Sequence, residues 1–265
     1  MLRRFAVAPH AAPRHWAGMT DLAPPPPGLL ANASLFLDFD GTLVEIADTP
    51  DAVAVGAGVS PLLVRLSDAL AGRIAIVSGR PVREVRALLA PAQLAVAGSH
   101  GLEIAAADGT VSAPDRPAAL DAALAAAEAF ATAHPGALVE DKPFGVGLHY
   151  RRAPGAAAAV AALADELAAA HDLTVQHGKM VAELRLPGRD KGSAVEMLMA
   201  EPRRLRTVPV FVGDDVTDEA GFAAAAAMGG AGVLVGPPRA TAATWRVDGV
   251  AAALAWLDTA CRELT

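Results

Sequence analysis

From Ser34 to Leu43 the chain reads Ser34-Leu35-Phe36-Leu37-Asp38-Phe39-Asp40-Gly41-Thr42-Leu43, and this string restricts the remaining architecture more than any other. Unbroken apolar residues at Leu35, Phe36 and Leu37 describe a strand covered on both faces, as central strands of parallel sheets are. Two carboxylates, two residues apart, leave its carboxyl end on one side of the sheet. Gly41 lets the backbone turn tightly and present its N–H groups, and Thr42 adds a hydroxyl. These parts suit phosphate and a divalent cation: one carboxylate can attack phosphorus, the other can carry a proton to or from an ester oxygen, and a metal offsets the local negative charge. A strand that simply ends in an Asp-Gly turn fits the same letters, so partners elsewhere must decide.

Further along, apolar spacing predicts a helix over 59–70 and a second buried strand over 73–77, which ends in Ser78-Gly79-Arg80-Pro81 ahead of a helix over 82–89. Ser78 and Gly79 can offer a hydroxyl and a backbone N–H to a phosphate oxygen; an ordinary helix cap is the other reading. A third strand over 94–97 runs into Gly98-Ser99-His100-Gly101-Leu102-Glu103. Strands alternating with helices describe βαβ units and a doubly wound parallel sheet, whose ligands sit beyond the carboxyl ends of the strands. The same grammar resumes at Gly188-Arg189-Asp190-Lys191-Gly192, where Lys191 opens a helix to about 200. A strand over 208–212 then delivers Gly213-Asp214-Asp215-Val216-Thr217-Asp218-Glu219, and a strand over 232–236 and a helix over 250–264 close the chain. Pro209 argues against a central position for its strand. The concentration of carboxylates that follows outweighs it.

Between residues 108 and 186 the pattern is different: a helix over 117–133, a hairpin of 137–141 and 145–152 around Lys142-Pro143-Phe144-Gly145, a helix over 155–170, and a second hairpin of 173–176 and 180–186 around His177-Gly178-Lys179. We read this as an antiparallel α+β cap (lid) domain, 108–186, inserted into an α/β core formed by 31–107 and 187–265. Residues 1–30, with Arg3, Arg4, Arg14 and Pro24-Pro25-Pro26-Pro27-Gly28, read as a disordered Pro-rich extension whose prolines favour a semi-rigid spacer; Met19 is an alternative start. No apolar segment ahead of a small-residue cleavage site suggests a signal peptide.

A net charge of −7 over 265 residues gives no general reason to expect nucleic acid or an acidic membrane as partner, so an anionic substrate would need local positive charge. The lone Cys261 cannot form an internal disulfide, and no run of eighteen strongly apolar residues appears. The expectation is a cytoplasmic monomer that acts on a small molecule, with neither nucleic acid nor membrane as partner.

Asp-x-Asp-Gly-Thr, Ser-Gly, a lysine at a helix start and Gly-Asp-Asp-x-x-Asp stand in one order, each at the end of the element that should carry it. The constellation resembles the haloacid dehalogenase (HAD) superfamily of aspartate-nucleophile phosphatases, which implies a HAD-like Rossmannoid core. More narrowly, the Ser-Gly-Arg, the Gly-Ser-His-Gly-Leu-Glu, Glu140-Asp141-Lys142, Glu183 and the Gly-Asp-Asp-Val-Thr-Asp-Glu resemble the trehalose-6-phosphate phosphatase family, over residues 34–260. That resemblance implies a Mg²⁺-dependent hydrolase of trehalose biosynthesis that cleaves trehalose 6-phosphate through an aspartyl phosphate. It makes Asp38 the nucleophile and Asp40 the acid that protonates the leaving oxygen and then activates water. Mg²⁺ would be held by Asp38, the Asp40 carbonyl and Asp214. Thr42, Ser78, Gly79 and Lys191 would bind phosphoryl oxygens. Asp215 and Asp218 would orient metal-bound water, although Asp218 and Glu219 also fit as charge at a helix N-terminus. Glu140, Lys142 and Glu183 would hold the glucose remote from phosphate, joined by Arg151; His100 and Glu103 would either line the same cleft or pin the domain crossing.

Other readings fit less well. A receiver module needs no inserted cap, a catalytically silent sugar-phosphate sensor needs no complete catalytic set, and a dehalogenase has no use for Asp40. Sucrose-6-phosphate phosphatase, mannosyl-3-phosphoglycerate phosphatase and a phosphomutase are the nearest alternatives among enzymes.

Overall fold

A computed structural model describes residues 22–47, 52–178 and 180–265. Most of the expected extension, residues 1–21, and Lys179 of the second hairpin lie outside the described residues.

The larger sheet has eight strands. Its parallel part comprises β1 (Ala33–Leu37), β2 (Ile74–Val77), β3 (Ala95–Gly98), and, late in the chain, strands that precede and follow the last two crossovers. Helices α1 (Val59–Ala69) and α2 (Val82–Leu89) connect the first three strands, and two short antiparallel strands, β4 (Glu103–Ala105) and β5 (Val111–Ser112), extend the edge. An insert follows: α3 (Ala118–Ala133), β6 (Leu138–Lys142), β7 (Gly145–His149), α4 (Ala157–His171), β8 (Thr174–Gly178) and β9 (Val181–Arg185). The chain then re-enters the larger sheet through α5 (Lys191–Met199), β10 (Val208–Gly213), α6 (Glu219–Ala227), β11 (Ala231–Val235), β12 (Trp245–Val247) and α7 (Val250–Leu264). Strand order is β12-β11-β10-β1-β2-β3-β4-β5, which puts β1 and β10 side by side at the centre.

Alternation along β1 divides the core in two. Leu35 and Leu37 join a cluster with α1, α2 and α7, while Phe36 joins Phe211, Phe222 and Leu198 beneath α5 and α6 on the opposite face. Both faces are covered, which is why the strand reads as continuously apolar. Pro209 does sit in a central strand. Val208 donates to Asn32 on the β1 side, so alternation turns position 209 toward β11, where pairing begins only at Val210 with Ala231. The missing N–H therefore costs no ladder bond.

The insert forms its own antiparallel sheet, ordered β6-β7-β9-β8. Val146, Leu184, Leu148 and Ala182 face the buried sides of α3 (Leu120, Ala123, Ala127) and α4 (Val160, Ala164, Leu167), where alanines at helical spacing let helix and sheet approach closely. The other face carries the polar row Glu140, Gly147, Glu183, paired across three strands.

Three observations depart from the expectations. The larger sheet continues to Ser112, past the domain crossing placed at residue 108. The last part of the supposed disordered extension is packed: Leu30 is fully buried, Arg246 N–H donates to Ala23 O, and Trp256 Nε1–H donates to Pro26 O. Leu22, Ala23, Leu29 and Leu30 flank the prolines, but so short an apolar set has no period to show that α7 covers it. Finally, β4, β5 and β12 are too short to show a period, and the alanine run of α6 has no polar face to mark it.

Candidate active site

The carboxyl ends of β1, β2 and β10 meet at one place. Asp38 directly follows β1, held by its N–H to Val212 O at 2.9 Å, and its side chain is almost completely buried. The chain then turns at Gly41, whose φ of +80° suits glycine and whose absent Cβ leaves room for the Asp214 carboxylate. Asp190 caps α5, accepting from Ser193 N–H at 2.7 Å, and so aims Lys191 at the same point. Lys191 Nζ lies 2.6 Å from Asp38 Oδ1 and 2.6 Å from Asp218 Oδ1. Asp218 is fully buried, and its Oδ2 accepts the N–H groups of Asp214 and Asp215, both at 2.9 Å.

Three carboxylates with one ammonium leave an excess of negative charge under cover. Burial, with the charges of Asp218 and Asp214, pushes Asp38 well above the usual carboxylate range despite Lys191. Burial and Asp218 push Asp214 up to about 7. Burial alone would discharge Lys191, but Asp218 and Asp38 more than compensate and raise it. One oxygen from each of Asp38, Asp214 and Asp218 lies within 4.8 Å of the others, and Asp214 Oδ1 is buried without a hydrogen-bond partner among the described residues. An orphaned acceptor inside excess negative charge is what a divalent cation would satisfy, so these residues fit one. Asp218 already takes three donors, one on Oδ1 and two on Oδ2, so Asp38 and Asp214 keep the freer oxygens for the cation. Asp218 instead fixes Lys191 and the Asp214 backbone. Asp215 caps the next turn, its Oδ1 accepting Val216 N–H.

Thr42 is fully buried and its Oγ1 has no partner among the described residues. Ser78 ends β2, accepting Arg80 N–H at 3.1 Å, and Gly79 leaves space for the His100 ring, which a Cβ would meet at 2.7 Å. Burial first, then the charges of Lys191, Arg185 and Lys142, hold His100 well below its usual pKa, so a neutral imidazole faces the cleft. Glu103 stays out of it: its carboxylate accepts Val82 N–H and Ser99 Oγ–H, pinning the start of α2.

A cleft of about 220 Å³ joins this end of the sheet to the polar face of the insert, bounded by Asp40, Gly79, Arg80, Glu84, His100, Glu140, Lys142 and His149. On the insert side, Lys142 Nζ sits 2.6 Å from Glu183 and 3.8 Å from Glu140, and His149 Nε2 lies 2.8 Å from Glu140. Burial disfavours the ammonium of Lys142, but Glu183 and Glu140 raise its pKa on balance. Bare main chain lies between these groups: a Cβ on Gly147 would stand 3.3 Å from both Glu140 Oε2 and His149 Nε2, and one on Gly145 would stand 3.3 Å from Glu183 Oε1. Arg151 is exposed in the turn after β7 and does not border the cleft. A larger cavity, about 650 Å³, lies where the chain crosses between the two sheets, and none of the candidate site residues lines it.

Three participants escaped the sequence reading. Arg80 grips Asp40 with two bonds, Nε to Oδ2 at 2.6 Å and Nη2 to Oδ1 at 2.9 Å. His149 was hidden as a single histidine in a strand. Arg239 ties the loop after β11 to Glu219 and to the carbonyl of Asp215, steadying the segment that carries Asp214. Only Arg80 left a trace, in the Ser-Gly-Arg string. Among the described residues, no helix is long and apolar enough to cross a membrane.

Residues 36–251 match the family model described as trehalose-phosphatase. A "Probable trehalose-phosphate phosphatase" from Sinorhizobium fredii is 39% identical over 79% of this chain and 80% of its own length. The Escherichia coli "Trehalose-6-phosphate phosphatase" is 36% identical over 91% of each chain. Among solved structures, a "trehalose-6-phosphate phosphatase related protein" superposes with a TM-score of 0.72 at 26% identity, covering 84% of this chain and 94% of the other.

Proposed function

Because the chain belongs to the trehalose-phosphatase family, and with it to the haloacid dehalogenase superfamily, we propose that it is the phosphatase that hydrolyses trehalose 6-phosphate to trehalose and phosphate. The observation that carries this reading is the cleft itself, in which Asp40, Arg80 and His100 at the carboxyl edge of the larger sheet border the same space as Glu140, Lys142 and His149 of the insert, with Asp38 two residues from Asp40 and Glu183 paired to Lys142.

In this reading the Asp38 carboxylate attacks phosphorus, the bond from phosphorus to the sugar oxygen breaks, and that oxygen takes a proton from Asp40. Water, deprotonated by Asp40, then cleaves the acyl phosphate and returns Asp38. Lys191 keeps Asp38 oriented and adds positive charge beside the phosphoryl group. Thr42 Oγ1 and the Ser78–Gly79 turn are placed to donate to its oxygens. Arg80, bonded once to each oxygen of Asp40, would hold that carboxyl in place while it serves. Mg²⁺, held by Asp38, Asp214 and the Asp40 carbonyl, would supply charge neutralisation for the phosphate. Glu140, Lys142 and Glu183 accept from and donate to hydroxyls of the second glucose, and that binding favours a closed, drier site.

The test is phosphate release from a panel of sugar phosphates with and without Mg²⁺. Trehalose 6-phosphate should be preferred and the metal required. A clear preference for sucrose 6-phosphate or mannosyl-3-phosphoglycerate would replace this substrate with that one.

A further inference from the structure

We propose that Arg116, which lies outside the cleft, is a positioning residue for substrate selection: it locks the β6–β7 hairpin to the chain crossing and thereby sets where Lys142 stands. The inference rests on the sugar-recognition role given above to Lys142 and Glu183.

Arg116 lies in the segment that leaves the larger sheet after β5, immediately before Pro117 caps α3. Its neighbours Pro114 and Pro117 border the cavity at the crossing. One guanidinium there spans three parts of the fold. Nε donates to Asp121 Oδ1 in the first turn of α3 at 2.9 Å, and Nη2 donates to Asp141 Oδ1 on β6 at 2.7 Å. Nη1 donates to the carbonyls of Lys142 and of Pro143, the latter at 3.2 Å. The residue whose carbonyl is held is the one whose ammonium pairs with Glu183 across the cleft face.

Exposed ion pairs by themselves contribute little. Here the planar fork also satisfies main-chain oxygens at the tip of a tight hairpin, which a lysine could not do. With the tip tied to the crossing, the hairpin cannot tilt independently when the two sheets approach each other, and Lys142 arrives at the sugar in one place. Nothing in this network touches Asp38, Asp40 or the phosphate-binding groups. Its loss should therefore be felt by a substrate that reaches Lys142 and ignored by one that does not.

The experiment compares Arg116→Gln with the unaltered full chain on trehalose 6-phosphate and on p-nitrophenyl phosphate, with Glu183→Ala as reference. Misplacement of a binding group by ~1 Å costs up to about 100-fold; we expect about tenfold in kcat/KM for the disaccharide, mainly through KM, and less than about twofold for the small ester. In a Lys142→Ala background the effect of Arg116→Gln should vanish, because it acts through that residue. Equal losses on both substrates, or full additivity with Lys142→Ala, would overturn the proposal. If Glu183→Ala is also unselective, the fault lies with the sugar-recognition reading; if Glu183→Ala is selective and Arg116→Gln is not, Arg116 alone is misassigned. Should Arg116→Gln fail to fold, Asp141→Asn removes one arm of the clamp and should shift selectivity in the same direction, and no shift there would count against the proposal.

Discussion

Arg80 and Asp40 form a two-bond pair in which each carboxylate oxygen of Asp40 meets a different guanidinium nitrogen, at 2.6 and 2.9 Å. A carboxylate held this way keeps a second lone pair on each oxygen, so an ester oxygen would have to share Asp40 with the Arg80 guanidinium. Asp40 is also the group assigned to protonate the leaving oxygen. Its importance should then depend on how poor the leaving group is. General acids typically contribute about 10²–10⁴-fold, and Asp40→Asn should lose that much on a sugar phosphate but far less in the first step with p-nitrophenyl phosphate, whose phenolate leaves unaided. Pre-steady-state release of p-nitrophenol checks this; equal loss on both esters would remove Asp40 from the acid role. Asp38→Asn should keep less than about a hundredth of the rate on either substrate.

Lys191 is buried between Asp38 and Asp218, with 4% of its side chain exposed. Removing one member of a buried charge set leaves the others uncompensated, at a cost of about 3–5 kcal/mol. Lys191→Met should accordingly lower stability by that order as well as abolish turnover. Urea denaturation measures the first effect, and a loss under about 1 kcal/mol would mean that the carboxylates do not depend on this ammonium.

The acidic cluster also predicts how pH and metal interact. Asp214 has a folded-state value of about 7, above the ~3.9 of an unfolded chain, and Asp38 is shifted in the same direction. Folding therefore favours the protonated carboxyls: the Asp214 penalty is absent below about pH 4, grows as pH rises and is complete above about pH 7, and Asp38 adds a penalty of the same sign. A cation between them should relieve that penalty. Mg²⁺ should raise the melting temperature more at about pH 7.5 than at about pH 5, measured against the same protein in EDTA. Equal increments at both values would place the cation elsewhere.

Lys142 and Glu183 give a fourth expectation. Losing a charged hydrogen-bonding partner costs about 1.5–3 kcal/mol, roughly ten- to a hundredfold in kcat/KM. Lys142→Ala and Glu183→Ala should lose that much on trehalose 6-phosphate and little on p-nitrophenyl phosphate, in steady-state assays of folded variants. Parallel losses would leave the sugar assignment without support from the insert.

The gathering of the candidate groups at the sheet was legible in the sequence because strand ends announce themselves. Asp38, Ser78, Lys191 and Asp214 each follow an apolar run or open a helix, and the parallel sheet brings such ends together by its construction. What a local pattern could not show is which charges meet after folding. Arg80 lies forty residues from Asp40 in sequence, and Arg116 lies in a linker without periodicity. Asp218 looked like helix-end charge or an orienter of water, and turned out to be the buried partner of Lys191, a distinction that depends on the approach of α5. Arg151 illustrates the converse, a charge close to Lys142 in sequence that the turn after β7 carries out to the surface.

Gly145 and Gly147 place bare main chain on the polar face of the insert's sheet, with Glu140, His149 and Glu183 converging on the space where their side chains would have been. A surface of this kind cannot be lowered by mutation, because there is no side chain left to shorten; it can only be raised. Any other residue at either position would press on the carboxylates and the imidazole that the cleft's polar groups are built from, so these two glycines set how closely Glu140, His149 and Glu183 can gather.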